Sequence, residues 1–434
     1  MGARVFIVDG ARTPFLKARN GPGPFSAAEL ALIAGRALMG GQPIRASDLD
    51  EVILGCVIPA ADEANIARIV GLRLGTGVAV PAFTVQRNCA SGLQALASAF
   101  DHIQAGRAQL VLAGGTEAMS RAPIQWNRAM SGWLAQMLRA KTPLDRARTL
   151  IQLRPAHLRP VFSLLLGLSD PVVGLSMGQT AEIVAARFGI DRHAQDAYAL
   201  QSHQRVVQAR ERGEFDGEVE IAFERGGRYH AEDDGVRLDS DLDKLARLAP
   251  AFERPFGSVT SGNSSQITDG AALLLLASEE AVARRGLPVI GEILDYDWAG
   301  VEPAQMGLGP VHATARLLGR HNLHTGDLAH VELNEAFAAQ VLACQAAFAS
   351  PEYAREELGL DGPPGAIDPA RLNPDGGAIA VGHPVGATGA RLVLHLAKAL
   401  RRRGGGLGLA TLCIGGGQGG AMLVRSVESA REGA

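Results

Sequence analysis

The feature that most constrains this chain is a run of strands and helices that occurs twice. The first run begins with a strand at Val5–Val8 and a helix from Ala28 to Met39. An acidic approach, Asp48-Leu49-Asp50-Glu51, then leads into the strand Val52-Ile53-Leu54. A short β-type segment, Phe83-Thr84-Val85, turns at Ser91-Gly92 into an amphipathic helix with Leu93, Leu96, Ala97, Phe100 and Ile103 at helical spacing. A strand at 109–113 ends in Gly114-Gly115. The second run has a strand at 289–295, a helix at 311–320, and Asp327 leading into a strand that ends at Leu333. A Gly-rich corner, Gly382-His383-Pro384, follows, then a helix to about Arg403 and a strand at Leu407–Cys413 ending in Gly415-Gly416-Gly417. Both runs read βα-βα-βα-β, with a reactive side chain at the third strand-to-helix corner. Such alternation predicts parallel-rich sheets covered by helices, one sheet per half. The fold class is therefore α/β, built by duplication.

Between the halves the pattern breaks. Residues 121–160 carry eight basic side chains against one acid, Asp145, a local charge of +7 in a chain whose formal net charge is −3. An apolar run with a Pro break follows from Val161 to Leu175, and a helix is predicted from Asp191 to Arg212. Such an insertion packs on the core as a solvated excursion, or binds an anionic ligand, an anionic membrane surface or a partner subunit.

Composition narrows the function. With 47% hydrophobic and 20% charged residues, the chain is neither disordered nor basic enough overall to hold nucleic acid. Its longest apolar runs, Leu273–Ala277 and Val161–Leu168, fall far short of a membrane span. The first strand starts so soon after Met1 that no room is expected for a signal or transit peptide. Cys56, Cys89, Cys344 and Cys413 are widely spaced, which argues against a zinc site or a disulfide framework and fits a reducing cytoplasm.

Four motifs carry chemistry. Cys89 stands where a strand meets a helix, so its thiol is expected near the first free N–H groups of that helix. The positive dipole end there favours a thiolate by about 0.3–2 kcal/mol, or about one pKa unit at best. A base is still needed, and the bland alternative is a small buried hydrophobe. Asn334-Glu335-Ala336-Phe337 puts an amide and a carboxylate at the carboxyl end of a strand, where open α/β sheets hold their sites. His383 lies in a turn whose glycines allow close approach, although a lone histidine there also serves as a turn residue bonded to backbone. Cys413 ends a strand and is followed by exposed backbone N–H groups. Gly415, Gly417 and Gly420 formally match G-x-G-x-x-G, but residues 421–425 read as a strand where a dinucleotide site requires a helix. Two thiols, an imidazole and an amide at strand ends coincide by chance far less often than any one of them.

Over essentially its full length the chain resembles the thiolases. The blocks that carry the likeness are Asn88-Cys89-Ala90-Ser91-Gly92, Asn334-Glu335-Ala336-Phe337, residues 382–389 around His383, and Cys413-Ile414-Gly415-Gly416-Gly417. The segments 176–182 and 259–265 support them. The resemblance implies a five-layered αβαβα thiolase fold of two similar halves with an inserted loop domain, no metal and no permanently bound cofactor. It divides the chain into an N-terminal half (1–120 with 251–286), a loop domain (121–250) and a C-terminal half (287–434).

The chemistry implied is cleavage of a 3-oxoacyl-CoA with coenzyme A as co-substrate. His383 takes the proton of Cys89, whose thiolate attacks the keto carbon. Cys413 protonates the departing acetyl-CoA enolate, while a water held by Asn334 steadies its oxygen together with His383. A second coenzyme A then removes the acyl group. The oxyanion of the acyl-enzyme sits between the N–H groups of Cys89 and Gly415, and losing one such donor typically costs about 3–4 kcal/mol. Met177, Ser261 and Ser265 line the pantetheine channel. Ser176 departs from the His of short-chain biosynthetic members, which bears on acetoacetyl-CoA specificity. The insertion is similar to that of the β-subunit of the fatty-acid β-oxidation complex. The subtype implies a homodimer or tetramer, a hydratase/dehydrogenase α-subunit as partner, and a cytoplasmic protein in peripheral membrane contact through 121–175. The alternatives are a short-chain acetoacetyl-CoA thiolase running condensation, a decarboxylating ketosynthase, and a catalytically silent lipid-binding or scaffold subunit. Ketosynthases have a second His where this chain has Asn334, and they lack the second Cys.

Overall fold

A computed structural model describes residues 3–427. Nine strands line up as Leu328–Leu333, Leu407–Ile414, Gln418–Arg425, Gly291–Gly300, Val5–Arg12, Thr268–Ser278, Leu110–Ala118, Glu51–Gly55 and Ala82–Val85. A tenth, Leu16–Lys17, pairs with Thr268–Ser278 off this path. The order mirrors itself about the junction of Val5–Arg12 with Gly291–Gly300, so the duplication is written into the topology. Leu328–Leu333 occupies the place of Glu51–Gly55, and Leu407–Ile414 that of Leu110–Ala118.

The sheets differ from the expectation in two ways. They are joined, because Val5–Ile7 pairs antiparallel with Gly291–Ile293. Nor are they parallel-rich. Parallel pairing within the long strands is confined to Glu51–Gly55 with its two neighbours and Leu328–Leu333 with Leu407–Ile414. The antiparallel share comes from the last strand of each half. Gln418–Arg425 returns through the tight turn Gly415–Gly417, a connection too short for a parallel crossover. Thr268–Ser278, visible in sequence only as an apolar run, lies antiparallel between Val5–Arg12 and Leu110–Ala118.

Side-chain alternation along these strands sorts the core into layers. Leu274 and Leu276 face a central layer with Leu96, Phe100, Leu396 and Leu400, whereas Leu273 and Leu275 face an outer layer with Leu30, Ala34 and Val70. A second outer layer, with Val311, Leu317, Val341 and Phe348, covers the other half-sheet. Helices thus lie outside, between and outside again, which makes five layers. The two central helices, Ser91–Gln104 and Val385–Arg402, begin almost in contact. A Cβ on Gly92 would stand 2.8 Å from Gly386 O, and one on Gly389 would stand 2.5 Å from Leu93 N. Glycine at both places lets the two helix N-termini meet, and this brings the Cys89 and His383 segments together.

His383 does not sit at a strand-to-helix corner. It lies between the short helix Ala378–Val381 and the helix Val385–Arg402, and only a parallel bridge, Val331 to Leu372, stands in for the expected third strand. The helix predicted from 191 runs over Arg192–Glu211, with the Asp191 side chain accepting from Ala194 N. In the insertion, helices Arg128–Arg139 and Pro143–Ile151 carry Arg128, Arg139, Arg146 and Arg148, the other four basic residues lie between elements or at their ends, and Ile124–Trp126 pairs antiparallel with Pro160–Phe162.

Candidate active site

Each functional side chain is fixed by its own local structure. Asn88 holds a left-handed backbone (φ 44°), tolerable for Asn, so the chain turns sharply just before Cys89. Its side-chain amide donates to Gly415 O at 2.7 Å, and Arg87 donates to Gln418 Oε1 at 3.0 Å while its guanidinium stacks on Trp298. The Cys89 loop of one half is thereby tied to the glycine turn of the other. The N–H groups of Gly415 and of Cys89 itself favour the Cys89 thiolate. A Cβ on residue 415 would stand 3.3 Å from Met177 Sδ, so glycine there leaves this approach open.

His383 is buried and its Nδ1 lies 2.7 Å from Thr388 Oγ1. The Thr388 hydroxyl donates to Pro384 O at 3.0 Å, so its oxygen accepts from Nδ1–H. The proton is thus assigned to Nδ1, and Nε2 keeps a lone pair, with Asn334 Nδ2 at 3.4 Å. Asn334 is fully buried, and its Oδ1 has no hydrogen-bond partner among the described residues. Burial, with the charge of Arg391, lowers the His383 pKa to about 3. Burial raises that of Cys89, against the opposing pull of the two N–H groups. The expected advantage of the helix N-terminus is therefore outweighed by desolvation, and the resting pair is a neutral thiol with a neutral imidazole. Burial also pushes the Cys413 thiol well above its ordinary value, reinforced by the neighbouring Cys89 and Cys344.

Cys89, His383, Cys413, Met177, Ser261 and Ser265 all line one cavity of about 580 Å³. Asn334 joins it through His383, and Gly415 through its carbonyl, which accepts from Asn88 beside Cys89. The 259–265 loop is held there because Ser265 N donates to Ala336 O and Ala338 N donates to Asn263 O, each at 2.9 Å. Glu335 turns away from the cavity. It accepts from Tyr198 at 3.0 Å, Ser202 at 2.6 Å, Asn373 at 3.1 Å and Ile379 N at 3.2 Å, which is a structural role. Cys56 and Cys344 are buried away from this cavity's wall. Sequence reasoning gave no role to Thr388, although it lies in the quoted His383 block, nor to Lys17 and Arg237, which also line the cavity. Nothing in the spacing of those two cations pointed to their meeting. Leu165, Leu168 and Ser169 of the insertion line the cavity as well, so part of 121–175 belongs to its wall.

Comparison with known proteins covers the whole of this architecture. The model of the thiolase N-terminal domain matches residues 5–280, and that of the thiolase C-terminal domain matches residues 287–426. A 3-ketoacyl-CoA thiolase of Yersinia pestis (strain Pestoides F) is 39% identical over 425 residues, 98% of this chain and 97% of that one. The crystal structure of human mitochondrial 3-ketoacyl-CoA thiolase superposes with a TM-score of 0.84 at 35% identity, covering 98% of this chain and 99% of that one. That of the Bacillus anthracis acetyl-CoA acetyltransferase gives 0.83 at 34% identity, with the same coverage. The duplicated topology, the cavity and these likenesses agree, and the chain belongs to the thiolase family.

Proposed function

We propose that this chain is a 3-ketoacyl-CoA thiolase, an acyltransferase that cleaves 3-oxoacyl-CoA with coenzyme A to acetyl-CoA and a shortened acyl-CoA, as in fatty-acid β-oxidation. The observation that carries the reading is the meeting of two thiols and an imidazole with an unprotonated Nε2 in one cavity. Cys89 is the nucleophile and His383 Nε2 the base that takes its proton. The Cys89 sulfur attacks the keto carbon, the bond to the α-carbon breaks, and the electron pair passes to the acetyl-CoA enolate. Cys413 protonates that carbon. Asn334 and His383 steady the enolate oxygen, the free Oδ1 of Asn334 being suited to orient a water there. The N–H groups of Cys89 and Gly415, which favour the Cys89 thiolate, serve the acyl-enzyme oxyanion. Met177, Ser261 and Ser265 line the pantetheine path, and coenzyme A is a co-substrate rather than a resident cofactor. The human relative was solved in complex with CoA, at a TM-score of 0.84 and 35% identity.

The same reading divides the chain into two halves, 1–120 with 251–286 and 287–434, around a loop domain at 121–250. Strand Ala82–Val85 ends the sheet with one edge unpaired, which supports self-association as a dimer or tetramer. In the loop domain Leu138 (88%), Ile151 (85%) and Trp126 (54%) are exposed beside the basic residues, which supports contact with an α-subunit or an anionic membrane from a cytoplasmic location. Among the described residues no helix is long and apolar enough to cross a membrane. The deciding experiment is coenzyme-A-dependent cleavage across a chain-length series of 3-oxoacyl-CoA substrates. Cleavage of C8 and longer chains supports the β-oxidation reading, activity on acetoacetyl-CoA alone favours the short-chain alternative, and no cleavage at any length overturns the assignment.

A further inference from the structure

Glu117, near the end of strand Leu110–Ala118, is a fully buried carboxylate that the reaction steps above do not use. It does not itself line the catalytic cavity. Its Oε2 accepts from Val57 N at 2.8 Å, and its Oε1 accepts from Ile58 N at 3.0 Å and from the Cys56 thiol at 3.5 Å. Among the described residues no cation pairs with it. Oε2 also faces Gly386, where a Cβ would stand 2.7 Å from it, and the N–H of Gly386 favours the carboxylate charge. Gly386 lies in the first turn of helix Val385–Arg402, three residues after His383 and two before Thr388, whose Oγ1 lies 2.7 Å from His383 Nδ1.

The first N–H groups of a helix have no partners within it, and a buried start needs acceptors from elsewhere. Pro384, at the N-cap of this helix, supplies no side-chain hydrogen bond. Glu117 brings an acceptor from a strand of the N-terminal family domain, and its negative charge suits the positive end of the helix dipole. Through 56–58 the same carboxylate holds the segment that follows strand Glu51–Gly55. That strand's last residue packs on the Cys89 helix, since a Cβ on Gly55 would stand 2.6 Å from Gly92 N. One side chain therefore ties the start of the His383 helix to the strand that supports the Cys89 helix. We propose that Glu117 is a positioning residue for the catalytic base, capping the buried start of helix Val385–Arg402 so that Thr388 holds His383 in place to serve Cys89. This rests on the thiolase reading above. Burial raises the Glu117 pKa to about 7, against the pull of its N–H partners and of the Cys56 thiol. The cap is thus charged above about pH 7 and neutral below it. The titratable groups nearest its charge are thiols, Cys56 in contact and Cys89 farther off, each raised by burial, with Glu63 acting in turn on Cys56.

The test is kcat and KM for cleavage of one 3-oxoacyl-CoA by wild type and by Glu117→Gln, measured from pH 5.5 to 8.5. Glutamine is nearly isosteric with the protonated acid, so at pH 5.5 the two proteins should agree within about twofold. As Glu117 ionises, the ratio of wild-type to variant kcat should climb through a midpoint near pH 7. By pH 8.5 it should reach at least about tenfold, a loss typical of one charged hydrogen bond. KM should stay within about twofold throughout, because the side chain does not touch the cavity. Taking the ratio cancels titrations common to both proteins. A kcat ratio that does not change with pH, or a KM that rises in step with the loss of kcat, would assign Glu117 to the fold alone and overturn the proposal. A ratio that drops below one as pH rises overturns it too, since the carboxylate would then act on the Cys89 thiol by repulsion. Should Glu117→Gln fail to fold, Glu117→Asp keeps the charge and draws it back by one methylene. A kcat lowered at least about fivefold at pH 8.5 with KM unchanged supports the proposal, and a kcat within about twofold of wild type overturns it. A wild-type protein that cleaves no 3-oxoacyl thioester defeats the thiolase reading instead.

Discussion

At the residue scale the Cys89 thiol is under opposing influences. Burial favours the neutral form, while the N–H groups of Gly415 and Cys89 favour the thiolate, and burial prevails. His383 is neutral at every pH above about 3 and so stands ready to accept a proton without being charged in advance. The sign of the pH dependence follows. With no thiolate–imidazolium pair at rest, alkylation of Cys89 by iodoacetamide in the free enzyme should climb with pH from 6 to beyond 9, without an inflection near the ordinary histidine pKa of about 6.5. A rate already at its plateau at pH 6 would show a preformed ion pair and contradict this account. Cys89→Ala should abolish turnover and acylation, read by intact-protein mass spectrometry, whereas Cys56→Ala and Cys344→Ala leave both nearly normal. Acyl transfer onto the Cys89→Ala protein would sink the assignment. Cys413→Ala should still be acylated yet lose deuterium exchange at the methyl of acetyl-CoA. An unchanged exchange rate would make His383 the base for that step. Cys89, His383 and Cys413 were legible in the sequence because each stands in a contiguous block of distinctive neighbours. The hydrogen bond from His383 to Thr388, which sets the tautomer, was not, because it depends on the fold of a turn that the glycines leave undetermined.

At the element scale the catalytic geometry depends on how closely two helices begin. Gly389→Ala would place a Cβ 2.5 Å from the backbone nitrogen of Leu93, which cannot swing aside as a side chain can. The helices must part, at a cost of about 1–3 kcal/mol, and Cys89 and His383 part with them. A lower melting temperature together with a larger proportional loss of kcat is expected, and full activity would show that the contact does not set the site. The alternation of strands and helices was readable from spacing. The pairing directions were not, because hydrophobic periodicity carries no sign for the neighbouring strand, and the His383 segment was misread because its glycines resemble a strand end. The insertion illustrates a different limit. Its charge was plain in the sequence, but the contribution of Leu165 and Leu168 to the cavity wall appears only once the loop is folded back. If Arg139, Lys141, Arg146 and Arg148 face an anionic membrane, each contributes about 1 kcal/mol. Replacing all four by Gln should weaken sedimentation with anionic liposomes while short-chain cleavage changes little. Salt should do the same to the parent protein, as the screening length falls from about 10 Å at 0.1 M to about 3 Å at 1 M. Liposome binding unmoved by charge removal would assign the surface to its exposed leucines alone.

At the scale of the whole molecule, a buried ionic seam joins segments far apart in the chain, on both sides of the boundary between the two family-model domains. Arg12, from the first strand, donates to Glu218 at 2.7 Å and to Asp233 at 2.7 and 2.9 Å, both carboxylates lying in the insertion. His395, on the second central helix, bonds Glu218 at 2.8 Å through Nδ1 and Asp375 at 3.2 Å through Nε2. Burial opposes the charge on His395, but Glu218 and Asp375 override it and hold its pKa at about 10. His395 with Arg12 depresses Glu218, and His395 with Arg403 depresses Asp375, below the carboxylate range, again against burial. For His395 the folded value lies above the unfolded value of about 6.5. Its contribution to stability is therefore full below about pH 6.5 and is lost as pH rises through about 10. For the two carboxylates the contribution is present above about pH 4 and is lost as pH falls through their depressed values. From this seam alone, stability should be greatest between about pH 4.5 and 6.5 and should decline steadily toward pH 10. His395→Gln removes one cation but leaves Glu218 paired with Arg12 and Asp375 with Arg403, so the cost at neutral pH stays below the roughly 3–5 kcal/mol of an unpaired buried charge. Thermal melts at intervals from pH 5.5 to 9.5 test this. The variant should start lower than the parent and lose less with rising pH, so that the two curves converge. Curves that stay parallel across the range would mean that His395 is neutral in the folded protein and that the seam is held by its arginines, Arg12 on Glu218 and Arg403 on Asp375.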